Sequence, residues 1–182
     1  MTHNSSVYGV SPNQSEPVVI TNETHEAVHD GTAYDEQIEI SGLGKGASTD
    51  IYITTGANFL FVQDIRLYAG EGDIRISLYE DVTVSAPGAA ELEPVCRNRD
   101  LRSTPTTVFY QNPTITDIGT SIAEQWLPPT QAGTGAEGFR IAIGSDQWLM
   151  DNNTAYVIRL LNRSKQSVDL FFDMAWVEGV TY

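Results

Sequence analysis

The sequence predicts an all-β protein, a two-sheet antiparallel sandwich with an extended N-terminal arm and at most one short helix. Short runs of alternating apolar residues, separated by turns rich in Gly, Pro, Asn and Asp, lead to this prediction. No segment of ten or more residues holds a helical apolar period, which argues against βαβ units. The β-type runs lie at 18–21, 34–40, 51–54, 59–68, 74–84, 95–96, 106–110, 139–143, 148–149, 156–161 and 168–176.

The clearest strands lie near the end of the chain, between Trp148 and Glu178. Large apolar residues occupy every other position from Val168 to Trp176, so one face of a strand should enter the core. Each such side chain contributes about 1.5–3 kcal/mol when it is fully buried. The polar connector 162–167 predicts a hairpin between the last two strands, and the Gly/Asp connector 70–73 predicts a second hairpin.

At 182 residues the chain suits one domain, predicted to span residues 18–182 after a polar arm at 1–17. The best helix candidate is Thr120 to Trp126, which could form one or two turns. There is neither a run of eighteen apolar residues nor the basic, then apolar, start of a signal peptide. The single cysteine, Cys96, excludes an internal disulfide and fits folding in a reducing cytoplasm.

The charge balance restricts the partners of the protein. Ten Lys and Arg residues against 24 Asp and Glu residues give a formal net charge of −14. Proteins that bind a phosphate backbone concentrate positive charge, so nucleic acid and anionic membrane surfaces are not expected partners. The acidic residues are spread along the chain, which predicts a solvated exterior.

One short motif suggests metal chemistry. Residues 25–29 read His-Glu-Ala-Val-His, and on a helix such a pair of histidines can share a zinc ion with the glutamate as general base. The surrounding residues predict strand and turn, in which His25 and His29 would lie about 13 Å apart. Glu36 or Glu39 could be proposed as a third ligand, but nothing marks either one. We therefore predict no metal, no cofactor and no catalytic residue, and keep a zinc hydrolase only as the least favoured of three functions.

Three arginines stand out against the acidic composition. Arg97, Arg99 and Arg102 are three of the ten basic residues and lie within six positions. Arginines in such clusters often form forked hydrogen bonds with carboxylates, either within the fold or across an interface. The sequence leaves both alternatives open.

Several short segments, taken in order over about 30–180, resemble a family of tailed-bacteriophage virion proteins. That family is assigned as capsid decoration, or cement, proteins with a jelly-roll-like β-sandwich. This chain has Trp176-Val177-Glu178 where the pattern often has Trp-Tyr-Glu, and the resemblance implies no catalytic residues. The segments are His29-Asp30-Gly31-Thr32-Ala33-Tyr34, Asn98-Arg99, Ser103, Asn112-Pro113-Thr114-Ile115-Thr116-Asp117-Ile118-Gly119-Thr120, Gln147-Trp148-Leu149-Met150, Asn153-Thr154-Ala155-Tyr156-Val157-Ile158-Arg159-Leu160, Asn162-Arg163-Ser164 and Ala175-Trp176-Val177-Glu178.

The resemblance implies a structural virion protein on the outer surface of a phage head, assembled in the bacterial host cytoplasm. Its expected partners are the phage major capsid protein, whose neighbouring subunits it would bridge, and itself in a dimer or trimer. It implies no enzyme activity. The candidate interface residues are Arg97, Arg99 and Arg102, together with Val7, Tyr8 and Val10 of the arm.

The alternative function is a tail-associated or carbohydrate-binding β-sandwich module. Three Trp and eight Tyr residues could supply platforms on which sugars stack. Trp148 and Trp176 lie in strand patterns and are expected in the core. Trp126, close to Pro128, is the tryptophan expected at the surface.

Overall fold

The structure of the chain is a computed structural model that describes residues 23–69, 72–90, 94–129 and 148–179. The arm at 1–17 and the runs at 18–21 and 139–143 lie outside the described residues. The one helix among the described residues, α1 (Glu23–Asp30), is too short and too polar to cross a membrane. The strands are β1 (Ala33–Leu43), β2 (Ser48–Thr54), β3 (Leu60–Tyr68), β4 (Ile74–Glu80), β5 (Thr83–Ala86), β6 (Ala89–Ala90), β7 (Val95–Cys96), β8 (Val108–Gln111), β9 (Thr114–Asp117), β10 (Thr120–Leu127), β11 (Trp148–Met150), β12 (Ala155–Asn162) and β13 (Val168–Glu178).

Two antiparallel sheets form a sandwich. The first, here called the β13 sheet, has the order β11-β3-β13-β1-β7, and the second, the β12 sheet, has the order β10-β4-β12-β2-β8-β6. The first four strands alternate between the sheets. β1 and β3 pair with β13, while β2 and β4 pair with β12, which is the connectivity of a jelly roll. The predicted all-β sandwich is confirmed.

The core lies between the two sheets and is centred on β13. The alternate residues from Val168 to Trp176 are buried and face the other sheet, as their spacing predicted. Trp176 is 0% exposed, and its ring lies 5.8 Å from that of Tyr34 and 5.1 Å from that of Phe109. Aromatic rings at these distances add packing energy beyond the area they bury.

The predicted closing hairpin is wrong, because β12 and β13 belong to different sheets. The same holds for the hairpin predicted between β3 and β4. Sheets in a sandwich lie about 10 Å apart, and four to six residues at about 3.3 Å each can cross that gap as easily as they can close a hairpin. Buried Asn162 fixes the crossing: its side-chain amide donates to the carbonyl oxygens of Leu43 at 2.8 Å and Gln166 at 2.8 Å.

The helix predicted at Thr120 to Trp126 is also wrong, since these residues form strand β10. β10 pairs with β4 along its length, from Thr120 opposite Glu80 to Leu127 opposite Ile74. The left-handed Gly119 (φ +70°) precedes it, and a Cβ there would collide with the Glu80 carbonyl oxygen. Pairing with a neighbouring strand outweighs the weak helix preference of this segment.

The strand and turn predicted around His25 and His29 are contradicted as well, because these residues lie on α1. Ala27 is buried against Ala33 and Val177, which face outward from β1 and β13. The helix is therefore stabilised by packing on the outer face of the β13 sheet. No local sequence pattern reveals this contact.

A two-stranded ribbon packs on the outer face of the β12 sheet. Strands β5 and β9 pair with each other and form a separate two-stranded ribbon. Apolar residues of the ribbon and of its flanking turns pack against Tyr52 and Val157 of the β12 sheet. The two outer faces of the sandwich are thus covered by different elements, a ribbon on one and a helix on the other.

A buried carboxylate connects the end of β13 to the segment before β8. Glu178 is 4% exposed and accepts hydrogen bonds from the Thr106 amide at 2.8 Å, the Thr106 hydroxyl at 2.7 Å and the Thr107 amide at 3.0 Å. The Trp176 indole also donates to it at 3.2 Å. Burial by itself would raise the pKa of Glu178, but the hydrogen bonds from Thr106 and Thr107 outweigh it and the pKa is lowered.

We expect Glu178→Gln to lower the free energy of unfolding by about 1.5–3 kcal/mol at pH 7, because an amide replaces a charged acceptor of several hydrogen bonds. The folded pKa of Glu178 is lowered, so this stabilisation is present above the unfolded pKa of about 4.3 and is lost as the pH falls through the folded pKa. Urea denaturation at neutral and acidic pH measures both effects. Glu39→Gln, on the exposed side of β1, is the control. A stability difference that stayed constant into acid would contradict this role of Glu178.

Candidate interaction surface

The arginine loop, defined as residues 97–103, is attached to the C-terminal end of α1. The Asn98 side-chain amide donates to the His29 carbonyl oxygen at 2.9 Å. The Asn98 side-chain oxygen accepts from the backbone amides of Asp100 at 3.0 Å and Leu101 at 3.3 Å, which turns the chain sharply. One asparagine thus shapes the loop and connects it to the helix.

A small, partly buried network holds the other end of the arginine loop on the junction between α1 and β1. The Ser103 hydroxyl lies 3.0 Å from the Tyr34 hydroxyl and donates to the Gly31 carbonyl oxygen. The Cys96 thiol donates to the same carbonyl oxygen at 3.6 Å. Burial raises the pKa of Tyr34, and the hydrogen bond with Ser103 opposes that rise. One end of the loop is therefore held by α1, and the other end by the junction between α1 and β1.

The predicted arginine cluster divides into two parts. Arg97 belongs to the fold: its Nε lies 3.6 Å from an Asp35 carboxylate oxygen, and its Nη1 donates to the Gln63 side chain at 3.2 Å. All three arginines are exposed, and Arg102 Nε donates to the Arg99 carbonyl oxygen at 3.0 Å. Within the described residues, neither the Arg99 nor the Arg102 guanidinium group forms an ion pair with a carboxylate.

The other predicted interface residues cannot be placed in this surface. They belong to the N-terminal arm, which lies outside the described residues. They are Val7, Tyr8 and Val10.

Beside the arginine loop, the outer face of the β13 sheet carries a carboxylate cluster whose members are far apart in the sequence. It consists of Asp35 on β1, Asp64 on β3 and Asp173 on β13, with Arg66 and Arg97 among them. Arg66 donates to Asp64 at 2.8 Å and to Asp173 at 3.2 Å. Strand register creates the cluster, because Ala175 pairs with Asp35 on one side and with Asp64 on the other. The one hint in the sequence is Asp173, a charged residue between the alternating apolar residues of β13.

Burial and like charge shift the titration of this cluster. Burial raises the pKa of Asp173, Arg66 opposes the rise, and Asp35 and Asp64 add to it. Burial also raises the pKa of Asp35, against the attraction of Arg97 and Arg66. Two guanidinium groups lie among three carboxylates, so the arginines are needed to offset the repulsion between the negative charges in this part of the sheet.

The two histidines of α1 lie together on its exposed side. The Nε2 atoms of His25 and His29 are 3.1 Å apart, and their rings meet edge to face with centroids 4.5 Å apart. Neither suggested third ligand joins them, since Glu36 is buried on β1 and Glu39 lies on its exposed side. Among the described residues, no group of three or more His, Cys, Asp or Glu side chains is arranged to hold a metal.

The tryptophans lie as predicted. Trp176 is fully buried, and Trp148 packs partly buried against the core. Trp126 on β10 is 57% exposed, and its indole nitrogen donates to the Asp73 carboxylate at 2.6 Å. The carboxylate fixes the ring while a large part of its surface remains open to solvent.

Comparisons of the chain with protein-family models, with curated proteins and with solved structures found no match. They therefore assign no family, and the resemblance described above stays a prediction.

We expect Arg66→Gln to lower the free energy of unfolding by about 1–2 kcal/mol, between the values typical of exposed and buried ion pairs. The loss leaves Asp64 and Asp173 facing each other with less compensating charge. Because the folded pKa of Asp173 is raised, its ionisation destabilises the fold as the pH rises through the window between its unfolded and folded pKa values. Combining Asp173→Asn with Arg66→Gln should recover part of the lost free energy of unfolding.

Denaturant unfolding of the two single variants and the double variant measures this coupling. Arg163→Gln, at an exposed arginine in the crossing between β12 and β13, serves as the control and should change stability little. Strictly additive effects of the two substitutions would show that Arg66 does not compensate Asp173.

Proposed function

We propose that the protein is a structural virion protein, a capsid decoration or cement protein on the outer surface of a tailed-phage head. In this role it bridges neighbouring major capsid subunits and stabilises the shell. The observation that carries the proposal is the resemblance over about 30–180, which implies a jelly-roll-like sandwich, the fold that this chain has. The fold is compatible with many functions, so the sequence segments carry more weight than the architecture.

The segments of the resemblance supply contacts that hold loops on the sandwich. Asn98 and Ser103 attach the arginine loop, Asn162 fixes the crossing between the sheets, and Glu178 holds Thr106 and Thr107. These polar residues fix loops in place on the sandwich, as in a scaffold that presents loops to a partner. This supports a binding role, with no catalytic residue required.

Electrostatics supports the placement on the outside of the shell. With a net charge of −14, the protein would be repelled by packaged DNA, so the outer surface suits it better than the inner one. Arg99 and Arg102 are exposed and, within the described residues, form no ion pair with a carboxylate. They are suited to forked hydrogen bonds with carboxylates of a capsid subunit.

Attachment involves two further elements in this proposal. Residues 1–17, including Val7, Tyr8 and Val10, add apolar contacts on a neighbouring subunit. The protein forms a dimer or trimer about a symmetry axis of the capsid, since closed oligomers follow such axes.

We expect the purified protein to co-sediment stoichiometrically with empty, expanded phage capsids. The double substitution Arg99→Glu and Arg102→Glu should weaken this binding by at least about tenfold, which corresponds to about 1.4 kcal/mol. Deletion of residues 1–17 should weaken it independently. The matched control is Arg163→Glu with Lys165→Glu, which changes the net charge equally. The control pair lies just before β13, whereas the arginine loop lies near the C-terminal end of that strand, about 35 Å away along the strand.

The outcomes separate the contributions. Full binding by the truncated protein would keep the cement role and assign attachment to the sandwich. If the arginine pair and the control pair weakened capsid binding equally, the change in net charge alone would explain the effect of the arginine substitutions. Absence of binding by the intact protein would refute the proposal for that shell.

The second candidate function is carbohydrate binding, and the exposed Trp126 favours it. An indole ring fixed by Asp73 and open to solvent suits stacking on the apolar face of a sugar. A glycan binder should show a saturable change in tryptophan fluorescence on a glycan panel, and Trp126→Ala should remove it. Phe171→Ala, at an exposed aromatic residue of the opposite sheet, is the control. A cement protein without this activity shows no change with any glycan.

A further inference from the structure

We propose that His25 and His29 form a surface site for one divalent transition-metal ion, with each imidazole occupying one coordination position. The residues around 25–29 predicted a strand and a turn, on which the two histidines could not share an ion. The site is independent of the proposed capsid role, and it requires no hydrolytic activity.

The distance between the two imidazoles fits a shared ion. Metal–nitrogen bonds of about 2.0–2.1 Å place two ligand atoms about 2.9 Å apart at a 90° angle and about 3.4 Å apart at a tetrahedral angle. The observed Nε2–Nε2 distance of 3.1 Å falls between these values. A metal ion can therefore replace the histidine–histidine hydrogen bond with little movement of either ring.

The helix that carries the histidines is held from two sides. Ala27, between them in sequence, is buried against Ala33 and Val177, so the histidines lie on the exposed side. At the end of the helix, Asn98 donates to the His29 carbonyl oxygen. An isolated helix of eight residues is marginal in water, and these contacts fix the pair before the ion binds.

The donor set indicates the class of ion. Imidazole suits Zn²⁺, Ni²⁺ and Cu²⁺ better than Mg²⁺ or Ca²⁺, which prefer oxygen ligands. Glu26 lies three residues before His29, a spacing at which helical side chains are neighbours, but among the described residues no third His, Cys, Asp or Glu side chain is arranged with the pair to hold a metal. With two protein ligands among the described residues, the remaining positions are open to water or to a donor from another molecule.

The experiment is isothermal titration calorimetry of the full chain with ZnCl₂, NiCl₂ and CuCl₂. We expect one ion per chain. His25→Ala and His29→Ala should each weaken binding by more than about tenfold, because losing a direct ligand should cost at least the 10–100-fold known for groups that only orient ligands. His3→Ala, at the one other histidine of the chain, should leave the affinity unchanged.

A measurement on the unmodified protein guards against variants that misfold. In nitrogen-15 spectra of the histidine rings, the signals of two histidines should shift together on addition of Zn²⁺, and the third should not. Absence of saturable binding would overturn the proposal. Unchanged affinity in His25→Ala and His29→Ala, or an equal loss in His3→Ala, would overturn it as well.

Discussion

The structure depends on the position of β13 between β1 and β3. This strand pairs with β1 from Val168 to Val177 and with β3 from Phe171 to Glu178, so its backbone is bonded on both sides over most of its length. Its inward side chains form the centre of the core, and outward-facing Val177 lies beneath α1. Once β13 is in place, α1 has a surface to pack on, and Asn98 then connects the arginine loop to α1. The interaction surface follows from the central strand.

The fold class could be predicted because alternation is a local property, and a strand with one buried face shows it within a few residues. The pairing of strands could not, since a short polar connector serves a hairpin and a crossing between sheets equally well. The segment 120–126 contains Ala, Glu and Gln, which tolerate a helix, yet β4 pairs with it in antiparallel register from Thr120 to Leu127, with one irregularity between Ser121 and Ala123. For 23–30, the deciding contact is that of Ala27 with Ala33 and Val177, and two of those three residues lie beyond the segment.

The candidate site shows the same limit more sharply. The sequence identified the arginines, because three positive charges within six positions are unusual in this acidic chain. It could not separate Arg97 from Arg99, since the difference is made by Asp35, brought alongside through the pairing of β7 with β1. Most of the carboxylate cluster could not be predicted for the same reason. Asp64 and Asp173 are far apart in sequence and meet only through the register of β3 with β13.

The five residues 25–29 show how secondary structure decides chemistry. On a strand, two histidines four residues apart would be separated by about 13 Å and could not share a ligand. On α1 their Nε2 atoms are 3.1 Å apart, although the amino acids are the same. The bond from Asn98 to His29 also places the histidine pair and the exposed Arg99 on elements that are joined directly.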